Sequence, residues 1–492
     1  MSYDIGFSKI PLNLETPGTY IELDTSQMLA VGAQGVTRIL LVGQMLTGTA
    51  SALTAYRVDG ENEGIALFGQ GSQLADMIAG FKRNDQTLEL WAMGVADNAA
   101  GVVATKTITL TGPATLAGTL SMRVQHRRVQ INVNVGMTAT QAATALVAAI
   151  NTFTDLAYTA AAAAGVVTLT AKHKGAEFNS LYVKENYDQG DVTPAGLGIT
   201  IAAGTAGATN PDATAVFTAL ADAPFAAILH PWTDATNVAA FETAMADRAD
   251  PLKMNYSEAY VAQAATYSAL ITALGNRNSE FGVIFCLKAG ALPHAPWRVA
   301  AAILAQIAFS ARNDPALPFN TLALKDILPP QEGNWFTRQE RQFLLEAGGA
   351  TLVVNGSGGM SIERIVTTYK RNASNLPDKG LHDLNSVLTL YYLSRSASAR
   401  ISSRFPRYKL ASDGNTYPPG AKVVTPRMIK AELAALATSE WYEAGLIENL
   451  QTFIDAIIVE RDATDRNRVN WSIRPDLING LHVTAGLIQP IL

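Results

Sequence analysis

Short apolar runs alternate with amphipathic segments over two stretches of the chain, residues 38–95 and 211–312. Apolar runs of strand length predict buried strands, and apolar positions spaced by three and four predict helices. The predicted strands are 39–42, 88–95, 225–229, 256–261 and 281–287, and the predicted helices are 72–81, 212–220, 237–249, 264–274 and 297–312. Strands that alternate with helices are typical of an α/β sheet with helices on both faces.

Residues 101–207 follow a different pattern. Alternating Val- and Thr-rich segments predict strands at 105–110, 119–124, 129–135, 166–170 and 180–183, and an Ala-rich stretch predicts a helix at 139–152. This stretch begins and ends between successive elements of the α/β pattern, and both of its boundaries consist of small and polar residues. We therefore predict a mostly-β domain that is inserted into the α/β core through flexible boundaries.

The remaining part, residues 381–492, predicts an α+β domain. Helices at 383–401 and 426–442 precede two alternating strands, 468–474 and 481–488. The predicted fold is thus an α/β core with an inserted mostly-β domain and an α+β C-terminal domain. Its parts are an N-terminal arm and linker (1–34), the core in two portions (35–100 and 208–380), the insertion (101–207) and the C-terminal domain with a terminal strand arm (381–492).

Composition narrows the function classes. The chain is 48% hydrophobic but only 16% charged, and its net charge of -5 gives no overall positive field for nucleic acid. No apolar stretch is long enough to span a bilayer, so we expect neither direct nucleic-acid binding nor membrane insertion. Because the chain has few charges and no membrane-spanning segment, we expect other protein chains to cover much of its surface. A large, well-packed monomer is the alternative.

No catalytic or ligand-binding motif is complete. The glycine-containing turn at 43–50 has Thr49 where a phosphate-binding loop needs lysine, and the six histidines lack metal-ligand spacing. The single cysteine, Cys286, lies in a predicted buried strand, which favours an inert thiol. We predict no catalytic residue, no cofactor and no metal. An enzyme assembled from distant residues, such as a cytoplasmic α/β hydrolase, stays open as an alternative.

Charge is distributed unevenly. Residues 1–34 carry four acids against one base, whereas a basic run without any acid lies in the C-terminal domain. Opposite charges on separate surfaces favour docking between subunits, because such pairs fix the register. A solvated helix end is the main alternative, whereas a phosphate or DNA patch is disfavoured because Phe405 and Tyr408 are the only aromatic residues interspersed with these bases. The basic run consists of Arg395, Arg400, Arg404, Arg407 and Lys409.

Several short sequence segments, taken in their order along the chain, indicate a protein family. They are PGTYIE (17–22), RILLVG (38–43), the helix with two tyrosines at 384–400 and NWSIRPDLINGLHV (470–483). With AGTL (117–120) and GVVTLTAKHKG (165–175) in the insertion, they resemble the contractile tail sheath proteins of Mu-like bacteriophages. The resemblance covers essentially the whole chain.

This resemblance implies an α/β core likened to that of subtilisin, without its catalytic triad, and a protruding domain. It implies a structural subunit that forms stacked hexameric rings around a tail tube and contracts to drive the tube through the host envelope. The implied partners are further copies of the chain, the tail tube protein, and baseplate and tail terminator proteins. The implied location is the virion tail, assembled in the host cytoplasm. The sheath of a phage-derived injection particle or secretion system is the structural alternative.

Two short segments near the chain ends suit strand exchange between such subunits. An exposed sheet edge is a template for a strand of another chain, and paired backbones would survive large movements of the cores. Pairing within one chain is the alternative. The predicted interface residues are Tyr20, Ile21, Glu22 and Leu23 in the first segment, and Leu481, Val483, Ala485, Leu487 and Ile488 in the second.

Overall fold

The protein is described by a computed structural model that covers residues 38–418 and 420–489. The first portion of the α/β core contains β1 (Ile39–Gln44), β2 (Ala55–Arg57), α1 (Glu61–Phe68), α2 (Gln73–Asn84) and β3 (Leu90–Val95). β1 and β3 are parallel neighbours, and β2 pairs antiparallel with β3. The predicted helix 72–81 is confirmed as α2, which Ser72 begins by accepting a hydrogen bond from the Ala75 N–H.

The stretch 101–207 forms two antiparallel sheets against one helix. Its elements are β4 (Val103–Thr111), β5 (Gly118–Val124), β6 (Arg127–Val133), α3 (Ala139–Asn151), β7 (Tyr158–Ala163), β8 (Val166–Lys174), β9 (Val183–Glu185) and β10 (Gly198–Ala203). The sheet orders are β10-β4-β8-β7 and β6-β5-β9, and α3 contacts both. The prediction of a strand at 180–183 is wrong, because a 3-10 helix (Ala176–Ser180) precedes the short β9.

The second portion of the core completes the central sheet. It contains α4 (Thr214–Leu220), β11 (Ala227–Leu229), α5 (Ala235–Arg248), β12 (Glu258–Ala265), α6 (Tyr267–Gly275), β13 (Gly282–Lys288), α7 (Pro296–Asn313), α8 (Arg338–Glu346), β14 (Thr351–Val354) and β15 (Met360–Arg364). The six-stranded sheet has the order β13-β12-β11-β1-β3-β2 and is parallel except for β2. The mixed α/β prediction is confirmed.

Both faces of the central sheet are buried. Ile39 and Leu41 of β1 face the layer that contains α2 and α7, whereas Leu40 and Val42 face α4 and α5. This explains why the strands of the core are continuous apolar runs rather than alternating ones. Cys286 of β13 is buried, as expected, and burial raises the pKa of its thiol to about 12.

The C-terminal portion packs around a separate apolar cluster. Its elements are α9 (Leu384–Arg404), β16 (Lys409–Leu410), β17 (Val423–Val424), α10 (Pro426–Leu436), a π-helical turn (Ala437–Tyr442), β18 (Ile447–Glu448), α11 (Leu450–Ala456), β19 (Ile458–Arg461), β20 (Val469–Ser472) and β21 (Asp476–Leu477). The predicted strand 468–474 is confirmed as β20. The predicted strand 481–488 is not observed, because these residues form no strand and pair with no other strand among the described residues. In the described ranges, none of the helices is both long and apolar enough to cross a membrane.

Candidate assembly surface

The insertion is held firmly to the core at both of its boundaries. Asp97, just after β3, accepts hydrogen bonds from the Gln44 side chain (2.6 Å), the His173 ring (2.8 Å) and the Lys174 N–H (2.9 Å). At the other boundary, the Asn210 side chain accepts a hydrogen bond from the Ala176 N–H of the insertion at 2.8 Å and donates one to Asp234 of the core at 2.9 Å. The expectation of flexible boundaries is therefore wrong, because small polar residues in this sequence mark hydrogen-bonded junctions rather than hinges.

The buried ring of His173 links the insertion to α2. Its Nε2 accepts a hydrogen bond from the Gln73 N–H at 3.3 Å, so the ring proton lies on Nδ1 and points at Asp97. A neutral imidazole thus joins a helix of the core to the boundary carboxylate. This geometry orients side chains for packing and leaves no ring nitrogen for a metal or a substrate.

The insertion also fills the crevice where α/β sheets commonly bind ligands. In such sheets, ligands lie outside the carboxyl ends of the strands, at the point where the strand order reverses. Here that point lies between β1 and β11, and the Gln44 side chain at the end of β1 donates to the Lys174 carbonyl at 2.8 Å. Glu177 of the insertion accepts hydrogen bonds from the N–H (2.7 Å) and hydroxyl (3.0 Å) of Thr233, just after β11. Protein therefore occupies the usual ligand crevice.

No metal-binding cluster of side chains lies in the ranges that the structure describes. Nowhere in residues 38–418 and 420–489 do three His, Cys, Asp or Glu side chains gather as a metal site would require. Glu177 has a perturbed pKa, which burial raises to about 7, but its oxygens already receive donors from Thr233 and Asn210. A raised pKa in this position reflects a packed junction rather than an acid that faces a substrate.

The last described residues leave the body of the molecule. Asp383 at the start of α9 lies 2.6 Å from the Arg364 guanidinium and 3.3 Å from the His482 ring, which fastens the chain at residue 482. Beyond that contact the side chains are exposed, and Ile488 is 92% accessible. The predicted interface residues Leu481, Val483, Ala485, Leu487 and Ile488 are all exposed. We call residues 483–489 the terminal segment.

A two-stranded ribbon lies on the same C-terminal portion. β19 and β20 pair antiparallel, from Ile458 opposite Ser472 to Arg461 opposite Val469, and neither has a second neighbour among the described strands. Val459 and Val469 pack on the apolar cluster, while Ile458 (52% accessible) and Trp471 (40%) are exposed. The sequence analysis missed β19, since its sequence IVER is short and follows directly on a helix. An unpaired edge beside exposed apolar side chains is a template for an added strand.

The predicted basic run divides into two groups. Arg395 donates to the Tyr256 carbonyl at 2.6 Å, and Arg400 and Arg404 share the Glu432 carboxylate at 2.5 and 3.1 Å. Arg404 is still 57% accessible, and Arg407 and Lys409 are exposed. Glu432 was not anticipated because it lies on α10, far from the run in sequence. Tyr20, Ile21, Glu22 and Leu23 lie outside the described residues.

Comparisons with known proteins agree with a structural role. Residues 206–368 match the model for the phage tail sheath protein central domain, and residues 377–489 match that for the phage tail sheath C-terminal domain. The chain is 34% identical to the Mu-like prophage FluMu tail sheath protein of Haemophilus influenzae over 489 residues, which covers 99% of this chain and 100% of that protein.

Solved structures of sheath proteins are similar at lower identity. The sheath tail protein of Desulfitobacterium hafniense gives a TM-score of 0.47 at 12% identity and covers 94% of this chain and 100% of its own. A chain of the anti-feeding prophage baseplate gives 0.44 at 10% identity, with 97% and 100% covered. On the strength of the full-length sequence match and the two domain matches, this chain belongs to the phage tail sheath family and is a structural component of a Mu-like virion tail, not an enzyme.

Proposed function

We propose that the chain polymerises as stacked hexameric rings around a tail tube, and that the sheath contracts by rearranging its subunits to drive the tube through the host envelope. One observation carries this proposal: the terminal segment exposes a row of apolar side chains after a firm anchor at His482. A single chain in water gains nothing from this exposure, whereas a polymer buries it.

Strand addition is the proposed link between subunits. A two-stranded ribbon is marginally stable alone, so β19–β20 gains stability from a third strand. In an extended segment, Val483, Ala485 and Leu487 lie on one face, where they can extend the apolar side of the ribbon that Val459, Val469 and Trp471 form. The terminal segment of one subunit is therefore the proposed added strand of the next.

The N-terminal arm is the second proposed link. Tyr20, Ile21, Glu22 and Leu23 form an apolar and acidic stretch that suits another strand edge, near a basic surface. Arg404, Arg407 and Lys409 are the exposed members of the basic run and supply such a surface. Arg395 and Arg400 have partners within their own chain and are the weaker candidates for contact with another subunit.

Such links allow contraction without dissociation. Backbone pairing between arms and ribbons would hold neighbouring subunits while rigid cores change their contacts. The proposed domains are those of the sequence analysis, with the insertion as the protruding part. The tail tube, baseplate and terminator proteins are the proposed partners, and assembly in the host cytoplasm is the proposed route to the virion.

Truncation of the terminal segment tests this proposal. Removing residues 483–492 keeps the His482 anchor, so the subunit should fold with an unchanged melting temperature by circular dichroism. Negative-stain electron microscopy should then show discrete particles where the intact protein forms tubes. A matched truncation of residues 490–492 should leave tube formation intact. Tubes of normal length from the longer truncation would refute strand addition by this segment.

A further inference from the structure

A half-open cleft of about 470 Å³ lies between the central sheet and the C-terminal portion. It is lined by the starts of β1, β11 and β12, by one face of α7, and by side chains of α9 that include Leu388 and Tyr391. The cleft is far from the terminal segment in sequence, and the proposed strand exchange does not use it. It is more apolar than polar, which is typical of a surface that another group covers.

Helix α7 presents an apolar face to this cleft. Leu304, Ile307, Ala308 and Ala311 recur at helical spacing and all line it. Most of α7 is fully buried, but Ala308 and Ala311 remain partly accessible from the cleft. Two small residues side by side leave a hollow in an otherwise covered helix. The hollow is suited to receive side chains from an extended segment.

The floor of the cleft holds a buried carboxyl group. Glu258 at the start of β12 is 0% accessible, and neither its Oε1 nor the hydroxyl of the neighbouring Tyr391 makes a hydrogen bond of good geometry among the described residues. Buried polar atoms are rarely left without a partner, because each such atom costs free energy. The backbone of an inserted segment offers donors and acceptors at every residue and could satisfy this oxygen.

The chain itself enters at the mouth of the cleft. The Arg38 carbonyl accepts from the Ala226 N–H at 2.8 Å, and Ile39 begins β1. Ile39 and Ala226 both line the cleft, so the residues that precede Arg38 arrive at its edge. At about 3.3 Å per residue, Val36 reaches about 10 Å from Ile39.

The composition of this preceding stretch matches the cleft. Residues 25–37 contain no charged side chain, although the residues on either side of this stretch, Asp24 and Arg38, are charged. Four apolar residues, Met28, Leu29, Val31 and Val36, are interspersed with alanine and glycine. Uncharged, small and aliphatic residues are suited to a narrow apolar hollow.

We propose that residues 28–36 fill this cleft of their own chain and so fix the linker of the N-terminal arm to the α/β core. The arm at residues 20–23 then starts from a rigid point that contacts both the central sheet and α9. A force on the arm is then transmitted to the central sheet and to α9 together, whereas a flexible linker would not transmit it. This goes beyond the proposed polymerisation, which requires only that the arms reach a neighbour.

Cross-linking of the full-length chain tests the assignment. The variant Val36→Cys/Ala308→Cys adds two thiols, and the native Cys286 stays unreactive because it is buried. A short bis-maleimide should link the two cysteines within one chain, which is detected as a compact monomer band and a linked peptide in mass spectrometry. The control Val36→Cys/Ala269→Cys, with an exposed position on α6, should not be linked. Linked dimers would assign the cleft to a neighbour's segment, and no link at all would also overturn the proposal.

Protection from proteolysis gives an independent measurement. Thermolysin cleaves beside bulky apolar residues, so a bound segment should resist cleavage at 28–36. Ala308→Trp fills the hollow and should make that segment cleavable, whereas Ala269→Trp on the exposed face of α6 should not. Equal cleavage of the native chain and Ala308→Trp would overturn the proposal. Neither readout depends on tube formation, so failure here leaves the proposed sheath function untouched.

Discussion

Two β-rich regions are attached to the same α/β core, the insertion and the C-terminal ribbon, and they differ in how far their large apolar side chains are buried. Where the insertion meets the core, Trp297 is 2% accessible, packs on Phe178 and donates its indole N–H to Asp76 at 2.8 Å. On the C-terminal ribbon, Trp471 is 40% accessible, and the nearby chain end carries Ile488 at 92%. The junction between the insertion and the core is thus closed by residues of one chain. The C-terminal ribbon exposes apolar side chains, which suits the proposed addition of a strand from another chain.

Hydrogen bonding repeats this contrast. At the insertion, Gln44 donates to the Lys174 carbonyl, and Asp97 and Glu177 also accept hydrogen bonds across the junction. At the C-terminal end, backbone edges of β19 and β20 lack a second strand in the part of the chain that the structure describes. Satisfied polar groups fix one arrangement, whereas unpaired edges leave a choice of partner. The proposed rearrangement of subunits needs rigid bodies and exchangeable edges, and the two regions differ in this way.

Deletion of residues 101–207 should have the largest effect on folding among the changes that compare the two regions. The deletion exposes the crevice between β1 and β11 and strips the cover from Trp297, so we expect loss of cooperative folding. Circular dichroism during heating should show no sharp transition in any soluble product. The C-terminal truncation of residues 483–492 is the matched control, since it removes chain from the incomplete side and should melt normally. A shortened protein that melts cooperatively would show that the insertion is dispensable to the core.

Alanine substitutions of the two tryptophans compare the regions directly. Trp297→Ala should lower the free energy of unfolding by about 3–5 kcal/mol, because a large buried side chain and its hydrogen bond are lost. Trp471→Ala should change it by less than about 1 kcal/mol in the dissociated subunit but reduce tube formation. Urea denaturation and electron microscopy measure the two effects. The reverse ranking in urea would contradict the proposed difference.

Glu177→Gln should have the smallest effect, which is confined to a pH range. Burial raises the pKa of Glu177 from its usual 4.5 to about 7, so the folded chain holds a proton that the unfolded chain releases. The free energy of unfolding should therefore fall between about pH 4.5 and 7, by on the order of 1–3 kcal/mol for this group. The glutamine variant should lack this part of the decline when urea denaturation is repeated across that range. An identical pH profile in both proteins would exclude Glu177 as its source.

The sequence predicted the core well because parallel strands buried on both faces are continuous apolar runs. β1, β12 and β13 are such runs, and the helices between them have clear apolar faces. β7, with the sequence YTAAAA, was missed because alanine favours helices, and its strand conformation comes from pairing with β8. Local propensity was outweighed there by tertiary contacts.

For the candidate assembly surface, the sequence indicated some of the residues but not their partners. Alternation of apolar and polar residues predicted a strand at 481–488, and the structure places these residues on the surface, where no described strand pairs with them. The basic run was visible in the sequence, but Glu432, which pairs with Arg400 and Arg404, lies about thirty residues farther on. Pairing across such distances depends on how helices pack, and no local pattern encodes it.

The sequence by itself determined the alternation of core elements, the mostly-β pattern of residues 101–207, the absence of a complete catalytic motif and the resemblance to sheath proteins. All of these depend on neighbours along the chain. Only the tertiary structure decided that the insertion closes the ligand crevice, that Arg400 is engaged, and that the chain leaves the body after His482. Each of these joins residues that are far apart in sequence, and burial and hydrogen bonding between them exist only once the chain has folded.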